Sequence, residues 1–359
     1  MFGSFIIAAT LACGIGAAGV PEDEIRVTGW VLTESDFANS FGSFEKHADR
    51  VSEISPFWFY PLPDGNVTSM EPGPGNKDAK RLVDAEPLIR SICAAKGIKL
   101  IPTFGGAPPP YQDAVHRIIT NPRLRTEHVR NLVLLARQRG YDGLDIDYES
   151  LAATDRNAYS AFMTELGKAM HAEGKLLSMA LHAKVSEPGD WDGPQAQDWA
   201  VIGRAVDRFR IMVYDFHEDS SEPGAIAPMD WFRQVLALAV KLVPREKIEI
   251  GIPTYGYDWQ LDDGAEDMPQ RYAPVLAARM SATIGYEPEQ AASRFKYEAE
   301  GSPHEVWYED ARALPAKLKA IHAAGVRSIS IWRFGEEAEE FWQQAGAVRP
   351  APGPGPQKP

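Results

Sequence analysis

Cysteine is nearly missing from this chain of 359 residues, which has only Cys13 and Cys93. Because Cys13 lies in an N-terminal apolar stretch, a disulfide framework is excluded. Basic residues are also scarce, since 37 Lys and Arg stand against 50 Asp and Glu and give a formal charge of −13. This charge argues against binding to nucleic acid or to anionic lipid. No pair of histidines has the spacing of a zinc site, and we expect neither a metal nor a cofactor.

Long apolar runs are confined to the N-terminus, where MFGSFIIAATLACGIGAAG is too short and too rich in glycine for a membrane span. Ala17 and Gly19 are placed as in an export cleavage site, although no Lys or Arg precedes the run. We therefore expect residues 1–20 to be a signal peptide of a secreted or cell-envelope protein, with lipidation of Cys13 as the alternative. Residues 347–359 are rich in Pro and Gly and are expected to form a disordered tail.

The rest of the chain repeats one local pattern: a helical stretch, a glycine and a short apolar strand. Strand-like segments fall at 25–33, 51–60, 98–104, 141–149, 176–182, 207–215, 247–255 and 327–334. Helical patterns lie between them, among others at 81–96, 124–139, 156–173, 229–243 and 311–324. Eight alternations over this length predict one (β/α)8 barrel, a TIM barrel, over residues 25–346. A doubly wound open sheet is the alternative.

One connection is longer than the others. Residues 258–309 separate the seventh predicted strand from its helix, and they contain ASRFKYEAEGSPHEVWYED. This segment predicts a β-hairpin that turns at Gly301 and Ser302. We expect the insertion to form a small lobe on the face of the barrel where the strands end.

Polar side chains gather at those strand ends, where barrels place their active sites. In YDGLDIDYES, Asp145, Asp147 and Glu149 alternate with apolar residues, so in a strand they share one face. Neighbouring acids are then roughly 7 Å apart, and their repulsion keeps at least one carboxyl protonated near neutral pH. A protonated carboxyl in a partly dry pocket is suited to general acid catalysis, and Glu149, nearest the mouth, is the expected proton donor. Further polar or aromatic strand ends are His182, Asp215, Tyr255 and Trp332.

A calcium loop, a catalytic metal site and a solvated strand face all fit these acids less well. A calcium loop needs a glycine at its sixth position, which counted from Asp145 is Ser150. Metal-assisted chemistry in a barrel needs further ligands from other strand ends, and the sequence does not offer them. A solvated charged face is disfavoured because the barrel places these acids inside.

DGLDIDYE, residues 142–149, resembles the D-G-x-D-x-D-x-E signature of glycoside hydrolase family 18, the chitinase family. The resemblance continues in IMVYDFH (211–217), GIPTYGYDW (251–259), VWYEDARAL (306–314) and ISIWRFGEE (329–337). With SEPGAIAP (221–228), the last three are most similar to the subgroup of spore-cortex and cell-wall N-acetylglucosaminidases. FGG at 104–106 lacks the serine common before the paired glycines of chitinases, and no chitin-binding or lysin-motif module is present.

The resemblance implies a retaining glycosidase in which the 2-acetamido group of the substrate is the nucleophile. Glu149 would protonate the leaving oxygen, Asp147 would orient the acetamido N–H, and Asp145 would share a proton with Asp147. Tyr214 would hydrogen-bond the acetamido carbonyl, and Asp215 and Met212 would line the same subsite.

Aromatic side chains are candidate platforms for sugar rings. Trp332 would lie under the bound sugar, although a position in the barrel core accounts for it equally well. Further candidates are Phe57, Trp58, Tyr255 and Trp259. The expected partner is an oligo- or polysaccharide of β-1,4-linked N-acetylglucosamine, from peptidoglycan or chitin, bound by a monomer. The alternative function is a carbohydrate-binding protein without catalysis, which the presence of Glu149 disfavours.

Overall fold

The computed structural model describes residues 25–345 apart from 34, 71–80, 107–110, 150 and 262–263. The predicted signal peptide, Cys13 and the predicted tail lie outside these residues. The described residues form fifteen strands: β1 (Arg26–Val31), β2 (Glu53–Pro61), β3 (Val67–Ser69), β4 (Lys99–Leu100), β5 (Thr103–Gly105), β6 (Gly143–Asp147), β7 (Leu176–His182), β8 (Arg208–Met212), β9 (Ile248–Pro253), β10 (Tyr255–Gln260), β11 (Gly264–Pro269), β12 (Gly285–Glu287), β13 (Ala292–Ala299), β14 (Ser302–Tyr308) and β15 (Ser328–Trp332).

Eight parallel strands close into a barrel. Around the barrel they run β1, β2, β5, β6, β7, β8, β9 and β15, and β15 pairs back onto β1. The closing registers are Arg26 with Ser328 and Thr28 with Glu53. The predicted (β/α)8 barrel is confirmed, and the open sheet was the wrong alternative.

Helices surround the barrel because their apolar faces pack on the outward side chains of the strands. The helices of the described residues are α1 (Phe37–His47), α2 (Leu82–Lys96), α3 (Tyr111–Thr120), α4 (Pro122–Arg139), α5 (Arg156–Ala172), α6 (Asp192–Ala196), α7 (Trp199–Ala205), α8 (Met229–Leu242), α9 (Ala273–Arg279), α10 (Leu314–Ala323) and α11 (Glu339–Gln344), with 3-10 turns at Ala48–Arg50, Ala153–Asp155 and Arg245–Lys247. Of these, α9 belongs to the insertion and not to the layer around the barrel. Gly97 and Gly140 end α2 and α4 in the left-handed conformation, as the repeated helix–glycine–strand pattern predicts. No helix among the described residues has the length and apolar character that crossing a bilayer requires.

The insertion is larger than the hairpin that its sequence predicts. It is a five-stranded antiparallel sheet in the order β11, β10, β14, β13, β12, with α9 packed on it, and we call residues 255–308 the lobe. The hairpin of β13 and β14 is present, but Ala299 pairs with Ser302, so its turn is Glu300–Gly301, one residue earlier than predicted. Both turn residues have positive φ, which a two-residue hairpin turn requires.

Most barrel strands are shorter than the sequence pattern predicts, and some of these differences move predicted site residues out of their strands. The fourth barrel strand ends at Asp147, not at Glu149, and the seventh ends at Pro253. Thr254 alone separates β9 from β10, so Tyr255 belongs to the lobe and not to the barrel. An apolar run does not reveal where a chain leaves one sheet for another, because both strands have the same alternation.

Candidate active site

The strand β6 divides its side chains between the two sides of the barrel wall. Leu144 and Ile146 are fully buried in the main hydrophobic core, whereas Asp145 and Asp147 point into the barrel. Glu149 follows two residues after the strand, and about a third of its side chain is exposed. The three acids therefore form a ladder from the buried interior to the mouth of the barrel.

Asp145 is surrounded by hydrogen-bond donors and a guanidinium group. It is fully buried and accepts hydrogen bonds of 2.9 Å from Trp30 Nε1 and from Thr103 Oγ1. Arg210 Nη1 lies 3.3 Å from its other carboxylate oxygen. Two neutral donors and one guanidinium group therefore contact the carboxyl group of Asp145.

Arg210 connects Asp145 to a network deeper in the barrel. Arg210 Nε is 2.9 Å from Glu249 Oε2, and Arg208 Nε is 2.9 Å from Glu53 Oε2. We call this set the lower network; its members are Arg26, Glu53, Asp145, Arg208, Arg210 and Glu249. Burial opposes ionisation of Glu53, but the hydrogen bond and charge of Arg208, with Arg26 and Arg210, lower its pKa to about 2. Three cations thus compensate three carboxylates.

The acids above this network have no such compensation. Asp147, Glu149 and Asp215, here called the upper acids, have no Lys or Arg nitrogen within 4 Å in the described part of the chain. Burial, followed by the charges of Glu149 and Asp145, raises the pKa of Asp147 well above its ordinary value. Burial and the charge of Asp215 raise the pKa of Glu149 to about 7. The carboxyl of Glu149 is therefore suited to carry a proton near neutral pH.

Asp215 reaches the site from the loop that follows β8. Its φ of 57° is left-handed, a conformation that Asp adopts more readily than most residues and that redirects the chain after the strand. The hydroxyls of Tyr255 and Tyr257 both donate to Asp215 Oδ1, the second at 3.1 Å. Burial raises the pKa of Asp215, and these two hydrogen bonds oppose the rise.

A small cavity of about 120 Å³ lies over the acids. Its lining residues are Trp30, Asp147, Glu149, Ala180, Met212, Tyr214, Asp215 and Trp332. Six of the nine residues predicted for the site are therefore together on one cavity wall. Asp147 Oδ1 is buried there without a hydrogen-bond partner among the described residues, so this oxygen is free to bind a ligand.

A second, larger cavity of about 560 Å³ adjoins the first. The two share the residues Glu149, Met212, Tyr214 and Asp215. Exposed aromatic side chains, Trp191 and Phe216, stand on the walls of the large cavity. Glu149 consequently stands where two parts of an extended ligand would meet.

The other predicted site residues lie behind the cavity wall. Asp145 lies two residues before Asp147 on β6, deeper in the barrel. Phe57 packs edge-on against the Trp332 ring, with 5.5 Å between the ring centroids. Tyr255 is buried and lines neither cavity, but it contacts two residues that do, Asp215 and Tyr214. Trp58 and Trp259 are wrong as platforms, because Trp58 is fully buried under the helices and Trp259 is buried with its Nε1 bonded to Ser221 O.

Several residues of the site were not found from the sequence. Trp30 and Arg210 both contact Asp145, and Tyr257 contacts Asp215. Alternation along β1, β8 and β10 was the available signal, since inward positions recur every second residue. Gly251 is a further residue of the site that was not found from the sequence. A Cβ at this position would lie 2.9 Å from the Tyr214 ring. Glycine inside a strand indicates a close approach of this kind.

Comparison with known families places the chain among carbohydrate-active enzymes. The family model for glycosyl hydrolases family 18 matches residues 63–337. The cortical fragment-lytic enzyme of Bacillus subtilis is 35% identical over 245 residues, which are 65% of this chain and 56% of that protein. The uncharacterised glycosylase YvbX of the same organism is 27% identical over 353 residues, 94% of this chain and 96% of that protein. The chain thus spans about half the length of the first relative and nearly all of the second.

Solved structures agree with the fold. A chitinase from Chromobacterium violaceum is 27% identical, with a TM-score of 0.80 over 90% of this chain and 100% of that one. The spore cortex-lytic enzyme SleL of Bacillus megaterium is 26% identical, with a TM-score of 0.78 over 90% of this chain and 74% of that one.

Proposed function

The chain belongs to family 18 of the glycosyl hydrolases, a family of glycosidases, and from this premise we propose that it is a retaining glycosidase acting on β-1,4-linked N-acetylglucosamine polymers. The substrate is a glycan of the peptidoglycan or chitin type. The names of the cortical fragment-lytic and chitinase relatives support this class.

The proposal rests on the raised pKa of Asp147 and on the hydrogen bonds that Asp215 accepts. A retaining glycosidase with a protein nucleophile needs one ionised carboxylate free to attack, beside the acid. Asp147 is buried with a raised pKa, and Asp215 is occupied by two tyrosine hydroxyls. Neither of them is a free nucleophile at this cavity, so the substrate's own acetamido oxygen takes that part.

The reaction then has two steps. Glu149 gives its proton to the glycosidic oxygen while that oxygen's bond to C1 breaks, and the acetamido oxygen forms a bond to C1. Asp147 Oδ1 accepts the acetamido N–H, Tyr214 donates to the acetamido carbonyl, and Trp332 lies under the ring. In the second step water attacks C1, the C1–acetamido bond breaks, and Glu149 takes the proton of the water. Two displacements at C1 leave the β configuration unchanged.

Stereochemistry tests this mechanism. Proton NMR of the first-formed anomer from a chito-oligosaccharide should detect the β product, and a thiazoline mimic of the cyclised intermediate should inhibit. An α product would mean inversion by an activated water and would exclude the acetamido nucleophile. Rapid cleavage of fully deacetylated polymer would exclude it independently.

Export and assembly are further parts of the proposal. We place the protein outside the cytoplasm, because residues 1–20 have the pattern of a signal peptide, and we expect it to act as a monomer. Deleting residues 1–20 should leave the melting temperature unchanged, whereas a large decrease would mean that this segment packs on the barrel.

A further inference from the structure

The two cavities divide the ligand at Glu149. The small cavity contains Asp147 and Tyr214, the proposed partners of the acetamido group, so it takes the sugar on which C1 reacts. Because Glu149 protonates the oxygen of the leaving group, the sugar that leaves lies on the other side of Glu149. The large cavity is therefore the leaving-group side, an assignment that rests on the proposed function.

His182 is the last residue of β7 and lines this large cavity. Its Nε2 lies 3.9 Å from Glu149 Oε2, too far for a hydrogen bond. The same nitrogen is buried and has no hydrogen-bond partner among the residues that the structure describes. A buried polar atom without a partner is costly in a folded protein, unless a ligand or water completes it.

His182 contacts its neighbours through both its backbone and its ring. Its backbone N–H donates to Gln197 Oε1 at 2.8 Å, and the Trp191 ring packs on its edge at 4.7 Å between centroids. Packing against Trp191 therefore limits the positions that the His182 ring can take.

Charge does not explain the pairing of His182 with Glu149. Burial, helped by the charge of Lys184, lowers the pKa of His182 to about 4, whereas that of Glu149 is raised to about 7. Between these values both groups are uncharged, so the two form no ion pair although their distance would allow one. Lys184 itself is engaged by Glu187 at 2.9 Å and by Pro194 O at 3.0 Å. The remaining charged groups of this wall are acids: Asp190, Asp215 and Glu218.

We propose that His182 Nε2 binds the leaving sugar through its C3 hydroxyl, which lies on the carbon adjacent to C4, the carbon that bears the scissile oxygen of a β-1,4 bond. Two oxygens on adjacent carbons of a sugar are neighbours, so one can contact Glu149 while the other contacts His182 across the 3.9 Å gap. The imidazole then recognises a sugar leaving group, as distinct from any other group that Glu149 can protonate. His182 is a binding residue for the leaving group and takes no part in proton transfer to the scissile oxygen.

A pair of substrates with the same reacting sugar tests this. Chitotriose cut to chitobiose and N-acetylglucosamine has a sugar as leaving group, whereas 4-methylumbelliferyl chitobioside has an aryl group without that hydroxyl. His182→Ala should lower kcat/KM for chitotriose by about tenfold or more and that for the aryl glycoside by less than about threefold, because one buried hydrogen bond is lost only with the sugar. His182→Gln, whose amide can reach the same hydroxyl, should recover part of the loss.

His128 provides a matched control. It is also buried with a pKa lowered to about 4, but its two nitrogens are bonded to Gly65 O and Tyr148 OH and it lines neither cavity. His128→Gln should lower the melting temperature without changing the ratio of kcat/KM between the two substrates. This control separates a general loss of folding from a loss of leaving-group binding.

Three outcomes would overturn the assignment. An equal loss on both substrates in His182→Ala and His182→Gln would mean that His182 acts on Glu149 and not on the leaving sugar. No loss on either would mean that Nε2 binds no part of the substrate. Wild-type protein that cleaves neither substrate would contradict the proposed function itself, whereas active wild type with an unchanged ratio in the variants contradicts only the role of His182.

Discussion

Acids at the two ends of the barrel interior differ in their ion pairing. In the lower network three guanidinium groups compensate Glu53, Asp145 and Glu249, and the pKa of Glu53 falls to about 2. Among the upper acids the described residues supply no Lys or Arg within 4 Å, and the pKa values of Asp147, Glu149 and Asp215 all rise. Burial is common to both ends, so the difference comes from the cations.

Asp145 stands at the boundary between these regions. It belongs to the lower network through Arg210, yet its negative charge raises the pKa of Asp147 above it. The lower network therefore holds the carboxyl group of Asp145 in place below Asp147. This arrangement gives the acids on and after β6 different surroundings, with a guanidinium group beside Asp145 and no Lys or Arg nitrogen within 4 Å of Asp147 or Glu149 among the described residues.

Removing the proton of Glu149 should have the largest effect on activity. Glu149→Gln fills the same volume but has no proton to give, and turnover of 4-methylumbelliferyl chitobioside should fall by about a hundred- to ten-thousand-fold. Binding of chito-oligosaccharide, measured by calorimetry, should persist. Near wild-type turnover in this variant would assign the acid to another residue.

Breaking the lower network should cost stability more than activity. Arg210→Met leaves Asp145 and Glu249 buried with fewer cations, and the free energy of unfolding in urea should fall by about 3–5 kcal/mol. The control is Arg130→Met, because Arg130 is 70% exposed and its ion pair with Glu127 contributes at most about 1 kcal/mol. Equal losses in the two variants would mean that the lower network contributes no more to the free energy of unfolding than exposed ion pairs do.

The pH dependence of stability should have opposite signs in the two regions. The depressed pKa of Glu53 stabilises the fold above pH 4.5 and loses this effect as the pH falls towards 2, on the order of 3 kcal/mol. The raised pKa of Glu149 makes the native state hold a proton that the unfolded state releases, so stability declines as the pH rises from 4.5 to about 7. Solvent screens the second effect, because a third of the Glu149 side chain is exposed.

Urea unfolding of two variants from pH 3 to 8 checks these signs. Glu53→Gln should lose the acid-side decline of the wild type, and Glu149→Gln should lose the decline between pH 4.5 and 7. The same sign in both variants would contradict the distinction between the lower network and the upper acids.

The smallest effect is expected where the lobe contacts the upper acids. Tyr257→Phe removes one of the two hydroxyls that donate to Asp215, so the pKa of Asp215 rises and less of it is charged. Because the charge of Asp215 raises the pKa of Glu149, the pKa of Glu149 then falls. We expect about a threefold loss of kcat and a shift of the basic limb of the pH profile, near pH 7, towards lower pH. Tyr286→Phe, in the lobe but bonded to Arg312 O, is the control and should change neither. An unchanged limb in Tyr257→Phe would mean that Tyr257 does not tune the site.

The sequence predicted the ladder of acids better than the network below it. Alternation alone places Asp145 and Asp147 on one face of β6, and the same rule applied to RFRIMVYD places Arg208 and Arg210 inside the barrel. It does not predict that these arginines meet Glu53 and Glu249, because that depends on the register between strands far apart in sequence. The same alternation excludes Trp58 as a platform for a sugar ring, because its neighbour Phe57 faces the inside of the barrel.

The lobe illustrates a second limit. YGYDW continues the pattern of the preceding strand, and only its pairing with β14 separates it from the barrel. Tyr255 was therefore expected on a sugar-binding surface, whereas it reaches the site through Asp215. His182 was visible as a polar strand end, but its unpaired nitrogen depends on the packing of Trp191 and Gln197.

The single residue between β9 and β10 has a consequence for how the protein loses function. Thr254 leaves no linker on which the lobe could move aside as a unit, and Tyr255 and Tyr257 hold Asp215 from the lobe side. Local opening of the lobe, with its small separate core, would release Asp215 while the eight-stranded barrel is still closed. On heating, catalysis should therefore disappear before the barrel melts, and limited proteolysis within residues 255–308 should inactivate the protein without unfolding it.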